Sequence, residues 1–87
     1  MMITGKEIKM IDNLIIKGLS YPVKFAFEAN NELKSIKVDK INKVNIEELE
    51  GKEVYIFSLE SEIEDEKFKF DLAFEDNSKK WLITNIE

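Results

Sequence analysis

The stretch KFKFDLAF, residues 67–74, decides the fold. Phe68, Phe70, Leu72 and Phe74 fall at every second position, with Lys67, Lys69 and Asp71 between them. Successive side chains of an extended chain point to opposite faces, so this period of two reads as a half-buried β-strand. AFEDNS (73–78) follows, and its Asp-Asn-Ser suits a turn. Beyond it, Trp81 and Ile83 open a closing strand to about Ile86, with Leu82 on the other face.

Working back, residues 52–63 form the longest strand candidate. Tyr55, Phe57 and Leu59 take one face and Val54 and Ile56 the other, which fits a central or strongly curled strand. Residues 33–41 read as a further strand with Ile36 and Val38 inward, and a bulge near Lys40 restores the phase broken by Ile41. Residues 23–29 alternate Val23, Phe25, Phe27 and Ala29 with Lys24 and Glu28, then run into AFEANN (26–31). The two AFE stretches both end an alternating strand and enter an Asn-containing turn. Hairpin chemistry accounts for their likeness without a duplication.

Two segments read as helical. VNIEELEG (44–51) offers Asn45 as a cap, Glu48 three residues on, and Gly51 as an end signal. TGKEIKMIDNLIIKG (4–18) offers a Thr4–Glu7 capping box and Gly18 at a C′ position, with Ile8, Ile11, Leu14 and Ile15 on one helical face. The same segment also reads as a hairpin, strands 7–11 and 14–17 joined at Asp12-Asn13, a weaker turn signal than Asp-Gly. Gly18 to Pro22 reads as a connector, because Pro22 fixes its own φ and extends Tyr21. The expected architecture is mainly β: one domain over 1–87, a curled antiparallel sheet or small β-barrel of about five strands with a short helix. The rival is an α+β sheet with helix 4–17 packed across it.

Composition narrows the chemistry. Of 87 residues, 44% are apolar, and six Phe, two Tyr and one Trp supply core volume, which excludes a disordered chain. There is no Cys, so disulfides, thiolate metal sites and thiol nucleophiles are excluded. There is no His, hence no imidazole base or ligand. No apolar run is long enough to cross a bilayer as a helix, and no export signal is visible, so a cytoplasmic setting is expected. Net charge is −5 and unevenly spread: residues 1–43 hold eight lysines against five acids, and residues 44–87 hold five against thirteen. All thirteen cationic residues are Lys, which lacks the planar fork of Arg for bidentate phosphate recognition.

The stretches YPVKFAFEANNELKSIKVDKINKV (21–44), LEGKEVYIFSLES (49–61), EKFKFDLAFE (66–75) and KKWLI (79–83) resemble a family of small uncharacterised Firmicute domains. The resemblance rests on Pro22, Phe25, Phe27, Asp39, Lys40, Ile41, Phe57 and Trp81, mainly structural positions. It implies a small barrel-like β fold and a bacterial or phage origin. The family has no established activity, so the resemblance implies no catalytic residue.

Two charged runs are candidate sites. Glu60, Glu62, Glu64, Asp65 and Glu66 form an acidic run suited to a basic protein partner. Acid–base chemistry there needs a formed cleft, and a Ca²⁺ site needs a shaped loop that ESEIEDEK lacks. Lys34, Lys37, Lys40 and Lys43 recur every third residue, a candidate contact for single-stranded nucleic acid. In a strand that spacing alternates faces, and a net acidic chain opposes phosphate binding. The sequence therefore points to a non-enzymatic protein-interaction or regulatory domain, acting through an acidic surface or an exposed strand edge, with no cofactor. The alternative is a structural accessory domain or homo-oligomer without enzymatic activity, a homodimer among the forms open to it. Weak nucleic-acid binding ranks third, and no membrane partner is expected.

Overall fold

A computed structural model describes residues 5–29 and 31–86. Seven strands form one antiparallel sheet: β1 (Lys6–Ile16), β2 (Leu19–Ala29), β3 (Glu32–Lys37), β4 (Lys40–Leu49), β5 (Lys52–Ile63), β6 (Glu66–Glu75) and β7 (Lys80–Ile86). Their order is β3-β2-β1-β7-β6-β5-β4. Every neighbour is a chain neighbour except β1 and β7, which bring the two ends of the chain together. The mainly β, antiparallel expectation holds, with seven strands among the described residues in place of about five, and the alternation in 67–74 lies within β6.

The β5–β6 ladder runs without a register shift from Val54 opposite Glu75 to Ile63 opposite Glu66. It sets Phe57 against Leu72 and Leu59 against Phe70, all buried. Trp81 and Ile83 of β7 extend this inner face beside Phe74 and Leu72. Phe25 and Ile36 supply the inner face of β2 and β3. The sheet rolls on itself. Phe25 of β2 meets Phe70 of β6 edge-on at 5.8 Å, and Tyr21 of β2 meets Phe57 of β5 at 5.8 Å. These strands are separated by β1 and β7 in the sheet order, so only a rolled sheet lets their rings touch. Ser61 shares the buried face, and its Oγ has no hydrogen-bond partner among the described residues.

Two corners make the roll. At the first, β1 changes partner: Lys6, Glu7 and Ile8 pair with β7, and from Lys9 onward the strand pairs with β2. At the second, Val38 and Asp39 carry the chain between the outermost strands. Val38 N donates to Val23 O at 2.8 Å, and Asp39 N donates to Glu60 O at 3.0 Å. The Asp39 carboxylate also accepts from Glu62 N at 2.7 Å. Two residues thus tie β2 on one side to β5 on the other.

The helical readings are corrected. Residues 45–50 belong to β4 and the turn after it, and 6–16 form one strand, so neither helix 4–17 nor the hairpin turned at Asp12-Asn13 exists there. Thr4, the expected cap, lies outside the described residues. Lys17-Gly18 (φ 52 and 81) and Glu50-Gly51 (φ 52 and 78) are two-residue hairpin turns with both residues left-handed. A left-handed Gly ends a helix as readily as it makes such a turn, so the local signal is the same. Asp12-Asn13 marks a register irregularity inside β1, not a turn. Pro22, read as part of a connector, lies within β2 opposite Asn13. Its missing N–H is tolerated at such an interruption of the ladder. The expected strand 33–41 divides at the Val38–Asp39 corner. The phase-restoring irregularity falls between Ile41 and Lys43, just beyond Lys40.

Asp39→Ala removes the acceptor of Glu62 N and frees the second corner. The variant loses about 1–2 kcal/mol in urea unfolding, the scale of one charge-assisted hydrogen bond at an exposed position, and Asp39→Asn, which keeps an acceptor, loses less.

Candidate functional site

β1 outruns its neighbour. Pairing with β7 stops at Ile8 opposite Trp81, and β7 begins at Lys80. β1 then continues to Ile16, paired with β2 alone. Lys9 to Asp12 still pair with the part of β2 that carries β3, so residues 13–22 form a two-stranded arm with Ile11 and Asp12 at its base. Among the described residues, no strand pairs with the other edge of Lys9–Ile16. The arm is closed by the Lys17-Gly18 turn and by a hydrogen bond from Asn13 Nδ2 to Ser20 Oγ.

This arm is apolar where a solvated ribbon is usually polar. Ile11, Leu14, Ile15 and Ile16 remain 47% to 68% exposed, with Ile15 the highest of the four. Leu14 and Ile16 point to one face of the pleat and Ile15 to the other, so turning the arm over hides neither set. Its only charges between Met10 and Val23 are Asp12 and Lys17.

Between the arm and the body lies a cleft of about 560 Å³. Met10, Asn13 and Ile15 line the arm side, and Asp76, Lys79 and Lys80 form the opposite rim. Tyr55, Phe74 and Trp81 line it from the body. Phe74 and Trp81 stack at 4.6 Å between centroids, and Tyr55 lies 6.4 Å from Phe74. Lys79 Nζ stands 5.8 Å from the Phe74 centroid while paired with Asp76 at 2.8 Å. The Tyr55 hydroxyl donates to Glu53 at 2.9 Å. That hydrogen bond, then partial burial and the charges of Glu53 and Asp76, raises the phenol above its ordinary value of 10.0. A second cavity, about 610 Å³, lies elsewhere on the sheet beside Phe27, Ile36, Phe68 and Phe70.

The acidic run does not form one acidic face. Glu60 stands opposite Lys40 on one side and Lys69 on the other, and Glu62 stands opposite Lys67. Glu60 also accepts from Asn42 Nδ2 at 3.0 Å. Glu64 and Asp65 form a two-residue turn, both left-handed (φ 50 and 66), and Glu66 begins β6. The lysine run is divided as well. Lys34 stands opposite Phe27 and lines the second cavity with Glu64 and Glu66, so members of the two runs meet there. Lys37 stands opposite Lys24, Lys40 opposite Glu60, and Lys43 opposite Ser58. Like charges directly opposite cost stability, so the Lys24–Lys37 pair is a local charge excess. The core rings face inward, away from it.

Sequence reasoning missed the arm. Its one legible signal was the run Leu14-Ile15-Ile16 before Lys-Gly, apolar at consecutive positions and so too long for one buried face. Among the described residues, no group of three or more Asp or Glu is placed to hold a metal ion, and no helix is long and apolar enough to cross a membrane.

A raised Tyr55 value means the folded state holds that proton more tightly than the unfolded chain. The resulting stability is complete below the ordinary value and is lost as pH rises through the raised one. In an alkaline absorbance titration, Tyr55 ionises above the ordinary tyrosine range, and Glu53→Ala moves that step down. In comparison with known proteins, no family model, no curated protein and no solved structure matches the chain.

Proposed function

We propose that this is a non-enzymatic protein-binding domain that takes an extended segment of its partner on the open edge of β1. The observation that carries the reading is the combination of an unpaired strand edge with exposed Ile11, Leu14, Ile15 and Ile16. Strand addition draws affinity from main-chain hydrogen bonds and specificity from pockets that accept alternate side chains. The cleft beside this edge is within the size range of ligand pockets and is floored by aromatic rings, as such pockets commonly are.

The other edges argue for the same choice. Proteins protect exposed strand edges with charge. β3 carries Glu32, Lys34 and Lys37 in six residues, and β4 carries Lys40, Lys43, Glu47 and Glu48 in ten. Between Ile11 and Ile16, β1 carries only Asp12. The unprotected edge is the one suited to pairing. The acidic-surface version of the reading is weaker, because Lys40, Lys67 and Lys69 stand among the acids. Nucleic-acid binding through Lys34, Lys37, Lys40 and Lys43 is weaker still, because Lys34 is set apart from the others in a cavity it shares with Glu32, Glu64 and Glu66. The large rings Phe25, Phe57 and Phe70 are buried, which leaves little exposed ring surface beside the lysines for the stacking that single-strand binders use. A cytoplasmic setting and the absence of catalysis belong to the same proposal.

The test is a library of ten-residue peptides panned against the whole chain, with Trp81 fluorescence as the readout. Selected peptides alternate apolar and polar residues, shift the emission of this single tryptophan, and bind Ile15→Lys and Leu14→Glu at least tenfold more weakly. Peptides that bind these folded variants as well as the parent overturn the reading.

A further inference from the structure

We infer that the open edge of β1 also receives a second copy of the same chain, arm against arm, about a two-fold axis through Ile15. This rests on the reading of that edge as a docking edge and names an occupant for it.

The geometry of a two-fold pair limits the register. When two identical strands pair antiparallel about an axis perpendicular to the sheet, one residue meets its own copy and the rest pair symmetrically around it. Beyond the irregularity at Asp12-Asn13, the β1–β2 ladder is regular from Asn13 to Ile16. Ile15 lies within this regular part and is the most exposed of the arm's four aliphatic residues. Centring the axis on it sets Ile15 against Ile15, Leu14 against Ile16, and Asn13 against Lys17. Aliphatic meets aliphatic in the central pairs, and no like charges are opposed.

Charge favours this meeting place over others. Two chains of net charge −5 repel one another. From Ile11 to Pro22 the net charge is zero, because Asp12 and Lys17 cancel. The arm also projects past β7, so two arms overlap near their tips while the bodies stay apart. The product is a four-stranded ribbon, β2-β1-β1-β2, that covers the edge of each copy.

Sedimentation equilibrium of the full chain tests the inference. The parent dimerises, while Ile15→Lys and Ile15→Asp are each monomeric, with circular dichroism confirming their fold. Mixing the two variants restores a dimer, because the axis sets each new charge against its opposite. The chain has no native Cys, so Ile15→Cys provides a second arm. Mild oxidation crosslinks it to a dimer at least tenfold faster than Leu33→Cys, an exposed control on β3. A monomeric parent, or a dimer that survives both charge variants, overturns the inference. If the parent is monomeric yet selected peptides still bind the edge, the dimer alone fails and the peptide-docking reading stands. If neither peptides nor a second copy bind there, both fail.

Discussion

Contact between aromatic rings across the inside of the sheet is the constraint on which the molecule depends. A flat seven-stranded sheet of this sequence would leave Phe25, Phe57, Phe70, Phe74 and Trp81 on one wet face. Burying each such side chain is worth about 1.5–3 kcal/mol, and each edge-to-face pair adds about 0.5–1.5 kcal/mol. Rolling the sheet collects both contributions. The Phe25–Phe70 and Tyr21–Phe57 contacts are where its two halves meet. The two corners follow from the same demand. β1 must change partners after Ile8, and Val38-Asp39 must cross between β2 and β5, because a roll this tight cannot be made by twist alone.

The first corner explains the arm. β7 is short, and β1 leaves it to pair with β2. The remainder of β1 then stands beyond the body with one edge open. The roll therefore creates the surface on which binding is proposed, and the aromatic floor of the adjoining cleft is the end of the same core. Phe74 and Trp81 belong to both: they close the interior and line the cleft. The other two edges of the sheet carry charge at close intervals, which leaves the arm as the edge on which strand pairing meets least opposition.

The sequence made most of the body legible. β6 was readable because one face is buried and the other wet, which leaves a strict period of two. β5 and β7 were readable instead as short runs rich in aromatic and β-branched residues with apolar groups on both faces, and the two AFE stretches as hairpin entries from their Asn-containing turns. The failures have a common physical origin. Residues 45–50 and 6–16 carry mixed polarity because much of each is exposed, so neither period dominates. Their terminal Gly residues serve helix ends and two-residue turns alike. Pairing with β5 and β2, which no local pattern encodes, decided both. The charged runs were visible as composition but not as surfaces. Register revealed that Lys40 and Lys69 flank Glu60, and the folded surface that Lys34 lines one cavity with Glu64 and Glu66.

The roll is tested most directly by a double-mutant cycle on Phe25→Leu and Phe70→Leu, two residues that are distant in sequence and on strands that do not pair. Each substitution keeps an apolar side chain, so unfolding free energies of the two single variants and the double variant isolate the ring contact. A rolled sheet predicts a coupling of about 0.5–1.5 kcal/mol. Strict additivity would mean that the rings do not touch, and the account of the interior, the corners and the arm would fail with it.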